Sequence, residues 1–402
     1  MRRIFYGWTV VAASAAIVGI GMGSLFALGV FLAPIERAMG WSRGVISTVA
    51  LLNWIAMGLG SFSWGWLSDR IGARGVAVAG GFLLGLGLVL SSQTQALWQF
   101  FVTFGFVVGF AVGAFYAPLT ATTTKWFTTR RGLAVALVSG GIGVGILAVA
   151  PLARALTSAW DWRVAMLVLG DLAWLIVIPL ALLLREPETG ATPRADTAPS
   201  SVRDYSTRQV LTTPQFWAIA LTHFACCAAH SGPIFHMVTH ATDQGVAAMA
   251  AATVLGVSGF ASIAGRVGGG LLADRFGAKP TLIAGLALQA AIIFGYLFAK
   301  NLGAFMGLAL AFGTAYGGVM PLYALVTREY FGEKVMGSAY GAVFLISTLG
   351  MGLGSFAGGA IYDRVGSYTW LFLGSFAIGA MAVVLAFTFR RPRVVVLQLA
   401  SS

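Results

Sequence analysis

GlyTrpLeuSerAspArgIleGlyAlaArg occupies positions 65–74, and GlyLeuLeuAlaAspArgPheGlyAlaLys occupies 270–279. The two stretches lie 205 residues apart (270 − 65) and agree at six of ten positions. The same offset carries Gly132 onto Gly337 and Gly145 onto Gly350, and a shorter echo, AspArgValGly, stands at 363–366. A register kept over so much chain implies two halves of one design, repeated in parallel about an axis along the membrane normal.

That the halves lie in a membrane follows from composition. Of 402 residues 58% are hydrophobic and only 9% are charged, against roughly 25% charged in soluble domains. Apolar runs of membrane-spanning length recur from end to end. Twelve spans are expected: 8–33, 44–66, 76–93, 97–124, 132–157, 164–184, 213–238, 247–272, 280–299, 303–327, 338–361 and 368–389. The fold class is therefore an all-α membrane protein of two pseudo-symmetric six-helix bundles. Short alternating strands of a β-barrel do not fit these runs. Met1-Arg2-Arg3 looks like the start of a signal peptide, but the apolar run behind it is too long, so a retained first helix is expected. The polar stretch 185–211, rich in Pro, Ser and Thr, reads as a cytoplasmic linker. It divides the chain into 1–184, an N-terminal bundle, and 212–402, a C-terminal bundle.

With both termini inside, the inner segments hold 18 Lys or Arg and the outer ones hold 6; with Arg266 these make the total of 25. That asymmetry sets the orientation. The net charge of +12 then reflects topology and contact with anionic lipid heads, and calls for no nucleic-acid partner. The adjacent Cys226 and Cys227 read as packing residues.

In the repeated motif, Asp69 and Asp274 stand just past helix ends beside Arg70 and Arg275, and Gly72 and Gly277 permit the turn that follows. The acids are placed to bond helix ends and basic groups of a neighbouring loop. A conformational latch of Asp69, Arg70, Asp274 and Arg275, made in one conformational state and broken in the other, is expected.

Span count, linker and the paired Gly-x-Leu-x-Asp-Arg-x-Gly motif together resemble the major facilitator superfamily over essentially the whole chain. Tyr6-Gly7-Trp8, GlyValPheLeuAlaProIle (29–35) with GlyTrpSerArg (40–43), and LysTrpPheThrThrArgArgGlyLeuAla (125–134) resemble its bacterial monocarboxylate porter and oxalate–formate exchanger groups. The resemblance implies a secondary carrier of a small carboxylate in a bacterial inner membrane. Helix 5, GlyGlyIleGlyValGlyIleLeuAlaValAlaPro (140–151), lacks the Gly-Pro followed by paired glycines usual in the superfamily's drug antiporters.

Arg266 stands within the otherwise apolar run 254–272. A cation at mid-membrane costs about 2.5–3.5 kcal/mol even on the lower scale, and marks a functional site by default. A guanidinium matches a carboxylate with two parallel donors. In the porters that this chain resembles, a helix 8 arginine is the anion ligand, and Arg266 matches it, eight residues before Asp274. Ser262 and Ser258 share its helix face, placed to bond either substrate or their own backbone. Tyr116 and Tyr316 lie on helices 4 and 10, which line the cavity in the superfamily, and read equally as packing aromatics.

All four histidines lie on helix 7. His236, His240 and Asp243 fall on one face near its outer end, a cluster suited to proton coupling, although solvation and packing account for it equally well. His223 and His230 face elsewhere and read as structural, while Asn53 and Asp171 are polar residues within spans without an assigned role. Animal porters of this resemblance carry a helix 1 lysine, where Phe26 or a neighbour stands, and an aspartate four residues before the arginine, where Ser262 stands. Oxalate exchangers carry a helix 11 lysine; 337–361 has none.

No Walker motif, metal cluster or nucleophile elbow is present, so no enzyme activity and no cofactor are expected. The expectation is a monomeric, proton-coupled carrier of monocarboxylates of the lactate or pyruvate type. The alternatives are obligate carboxylate exchange and a receptor that binds without transport.

Overall fold

The computed structural model describes residues 5–41, 43–187 and 205–390. Arg2 and Arg3, residues 188–204 of the expected linker and Arg391 lie outside the described residues. Twelve long helical segments are described: α1 (Tyr6–Leu32), α2 (Arg43–Ile71), α3 (Ala73–Ser92), α4 (Leu97–Trp126), α5 (Arg131–Ala159), α6 (Trp162–Leu182), α7 (Pro214–Asp243), α8 (Thr253–Phe276), α9 (Ala278–Phe298), α10 (Leu302–Phe331), α11 (Met336–Tyr362) and α12 (Thr369–Phe387). Eleven are long and apolar enough to cross a membrane. The remaining one, α2, has the length, with 29 residues, but Asn53, Ser61 and Ser63 dilute its apolar run. Helices are the answer because hydrocarbon offers the backbone no partner but itself.

The 205-residue repeat holds at the level of contacts. Gly145 on α5 lies against the Gly19 backbone of α1; the same offset gives Gly350 on α11, against the Phe224 backbone of α7. A Cβ at either glycine would strike the facing carbonyl oxygen. Small residues allow such backbone approach, which drives packing where lipid tails are as apolar as leucine.

Three of these helices are not continuous: α1 breaks at Ala27, and α4 and α10 break within their spans. In α4 a π-helical stretch, Phe101–Val108, precedes a break at 113–115; in α10 the break falls at Met320 and Pro321. Asn53 on α2 donates to the Phe104 carbonyl at 2.7 Å, inside the π-helical stretch. That contact gives this buried amide a structural partner. Asp171 is exposed on α6.

The expected linker 185–211 is not all tether. Thr207–Leu211 is a short helix capped by Ser206, and Thr207 Oγ1 lies 3.0 Å from Ser338 Oγ of α11. Before it, the chain leaving α6 is fastened by the sequence motifs near Tyr6 and Lys125. Tyr6 donates to the Leu183 carbonyl at 2.7 Å, Trp126 to that of Arg185 at 2.7 Å, and Lys125 pairs with Glu186 at 3.0 Å. Trp8 meets Phe127 at 4.8 Å between ring centroids. Arg130 takes a left-handed φ of 56°, which turns the chain into α5.

Candidate functional site

Arg266 is 3% exposed. Its Nε donates to Ser139 Oγ of α5 at 3.0 Å, and Nη1 donates to Ser262 Oγ, one turn earlier on α8, at 3.0 Å. Nη2 donates to the Tyr316 hydroxyl of α10 at 3.4 Å, and the guanidinium carbon lies 5.4 Å from that ring's centroid, within cation–π range. Tyr116 of α4 donates to the same Ser139 Oγ at 3.2 Å. Tyr116, Ser139, Arg266, Ser262 and Tyr316 thus form one network, and its Ser139–Arg266 bond joins helices from opposite halves.

These partners are neutral. Among the described residues no carboxylate bonds Arg266. Hydroxyls satisfy donors but leave a full positive charge in a medium where an unpaired charge is expensive. The physical complement of such a site is an anion.

Two further groups flank the network. His230 on α7 has its ring 5.0 Å from that of Tyr316, and Tyr340 on α11 lies 5.9 Å from Tyr116. Ser139 bridges the halves. Sequence reasoning missed all three as site residues. Ser139 is a small polar residue in a glycine-rich run, the usual dress of a packing position. His230 was judged only against the outer cluster on its own helix. Ser258 is buried on α8 without a bond to Arg266 among those described.

Phe26 sits elsewhere. It meets Trp54 edge to face at 5.7 Å and lines a cavity of about 190 Å³ with Asn53 and Phe235. Neither contact involves the Arg266 network.

At the C-terminal end of α7, His240 and Asp243 line a polar cavity of about 410 Å³ with Tyr362 and Tyr368. His236 is within 3.3 Å of the Tyr368 hydroxyl through Nδ1 and 3.2 Å of the Ser355 carbonyl through Nε2. His240 Nε2 lies 3.2 Å from the Tyr296 carbonyl. The three residues share a region through Tyr368 and its cavity, with no described bond to the Arg266 network.

The motif acids hold the opposite end. Asp69 accepts from the Gly337 and Ser338 amides at 2.8 and 2.7 Å; Asp274 accepts from the Gly132 and Leu133 amides at 2.7 and 3.0 Å. Each acid caps the first turn of a helix in the other half, where orphan N–H groups and the helix dipole favour a carboxylate. Of the helix ends and basic groups expected as partners, the described hydrogen bonds of both acids go to helix-end backbone amides. Arg70 and Arg275 lie over rings of their own helices. Their guanidinium carbons lie 3.7 Å from the Trp66 ring centroid and 5.2 Å from that of Phe276, each on its own helix. Gly72 and Gly277 take φ of 82° and 91°, as the turn requires.

With this geometry the known proteins can be compared. The family profile described as Major Facilitator Superfamily matches residues 11–355 and 232–401. Monocarboxylate transporter 11 of Homo sapiens is 31% identical over 383 residues, covering 92% of this chain and 79% of the relative. Monocarboxylate transporter 13 of Rattus norvegicus is 28% identical over 388 residues, covering 94% and 88%. The uncharacterized MFS-type transporter YhjX of Escherichia coli K12 is 26% identical over 330 residues, covering 80% and 77%. Among solved structures, FucP in the outward conformation superposes with a TM-score of 0.75 at 16% identity, covering 95% of this chain and 99% of that one. At that identity the superposition speaks to fold alone.

Proposed function

The chain belongs to the major facilitator superfamily, and from that premise we propose that it carries small monocarboxylates of the lactate or pyruvate type by proton-coupled symport. One observation carries the reading: Arg266 is a buried cation whose described bonds all go to neutral groups. An arriving carboxylate neutralises it and takes two parallel donors, with Ser262, Tyr316 and Tyr116 supplying further hydroxyl contacts. Relatedness to monocarboxylate transporters supports the substrate class. We place the protein in a bacterial inner membrane as a monomer with both termini cytoplasmic, from the basic-loop asymmetry and the resemblance given above. The latched end is then the cytoplasmic one. In this reading Asp243, His236 and His240 take up the proton at the outer end.

The test is competition at a pH where dianions are fully ionised. One fixed cation neutralises one carboxylate, and a second is stranded. Lactate or pyruvate is expected to displace labelled substrate, with oxalate weaker by tenfold or more, roughly the 1.4 kcal/mol lower edge of such a penalty. Equal inhibition by oxalate would reveal a second cation in the site. Uptake is also expected to rise as outside pH falls, and Asp243→Asn to flatten that rise. An unchanged pH profile in Asp243→Asn removes the outer cluster from the mechanism.

A further inference from the structure

His230 is 1% exposed, in the middle of α7, and the anion site does not account for it. Its Nδ1 lies 3.8 Å from Cys226 Sγ, which in turn meets Gln289 of α9. Its ring lies 5.0 Å from that of Tyr316, and Tyr316 also receives the Arg266 guanidinium, by hydroxyl and by ring. The titratable or charged groups described against it are Tyr316 on α10, Cys226 and His223 on its own helix, and Arg266 on α8. Not one is a carboxylate. Of these groups, only an imidazole ordinarily changes charge near neutral pH.

From this juxtaposition we propose that His230 holds the proton that travels with the substrate. The proposal rests on Arg266 being the anion ligand. With the site empty, a proton on His230 makes two cations that share one tyrosine, in surroundings that stabilise neither. The unloaded carrier therefore keeps His230 neutral and leaks no proton. When a carboxylate neutralises Arg266, that repulsion is removed and an imidazole nitrogen takes a proton from the outside solution. No covalent bond of the substrate changes; one proton and one carboxylate enter the site and leave on the other side. By linkage, each raises the site's affinity for the other by the same factor. The outer cluster can pass protons inward, but the coupling sits where charge on the substrate and charge on the protein meet.

The experiment uses the purified full-length protein with lactate as the probe. In weakly buffered detergent solution near neutral pH, wild type is expected to take up roughly one proton per lactate bound, and His230→Gln none. In liposomes His230→Gln is expected to keep lactate counterflow at a reduced rate while losing accumulation driven by a proton gradient. His230→Asn, which shortens the amide, provides a second neutral variant if the glutamine one fails to fold. A folded variant of either kind that binds lactate and still takes up a proton overturns the proposal. So does loss of proton uptake in Asp243→Asn together with its retention in His230→Gln. Failure of the anion-site reading looks different: lactate then stabilises wild type and Arg266→Ala alike, or neither.

Discussion

Replacing Arg266 by alanine is expected to abolish carboxylate uptake while leaving a folded protein. Hydrogen bonds to charged groups contribute about 1.5–3 kcal/mol each, so losing a two-donor fork weakens binding by about 3–6 kcal/mol, a factor of hundreds to tens of thousands. The empty protein is expected to lose little stability. In that state Arg266 bonds hydroxyls and a carbonyl and carries an uncompensated charge, so removing it relieves desolvation as well as deleting bonds. Arg266→Lys is expected to be poor as well, since an ammonium presents a point charge rather than a planar fork. Thermal melts with and without lactate separate the two effects. The alanine variant should melt near wild type when empty and gain nothing from lactate. Normal uptake by a well-folded alanine variant would take away the basis of the proposed site.

The second large effect belongs to the latch. Each of Asp69 and Asp274 accepts two amide bonds with two carboxylate oxygens. An asparagine offers one oxygen and turns an NH2 toward the second amide, donor against donor. The double variant Asp69→Asn/Asp274→Asn therefore loses charge and geometry at both contacts between halves. At about 1.5–3 kcal/mol for each charged bond lost, even one lost bond per latch shifts the latched population by a hundredfold or more. Spin labels at the exposed positions Arg70 and Arg275 report it, since these side chains lie over their own helices' aromatic rings. The distance distribution is expected to broaden and lengthen in the double variant. An unchanged distribution would mean that other contacts hold this end closed.

Much of the frame could be read in the chain. Span lengths and loop charges record the solvent each segment meets, and the 205-residue register records the duplication. The breaks in α4 and α10 could not be read. They depend on what the neighbouring helices offer, such as the Asn53 amide for the Phe104 carbonyl. The site was legible in proportion to cost. Arg266 stands out because a lone cation in an apolar run is expensive, and Ser139 does not because a hydroxyl in a glycine-rich helix is cheap. Adjacency in sequence does not disclose where the side chains of Arg70 and Arg275 lie, over the rings of Trp66 and Phe276 on their own helices. The repeat itself does not extend to the site: the offset that carries Asp274 onto Asp69 carries Arg266 onto Ser61.

The latch also bears on how this chain tolerates change. Its donors are peptide N–H groups, so half of each contact is not encoded by any side chain. Substitution cannot delete a backbone donor; it can only push it away. Leu133 and Ser338 already fill equivalent positions with unlike side chains, and both still donate. The mutational target narrows to the acid and to the facing pair of glycines that lets the helices meet. A Cβ on Gly132 would strike the Gly270 carbonyl, and one on Gly337 would crowd the Gly65 carbonyl. Neutral drift is thus free across most of this surface and arrested at three letters in each latch.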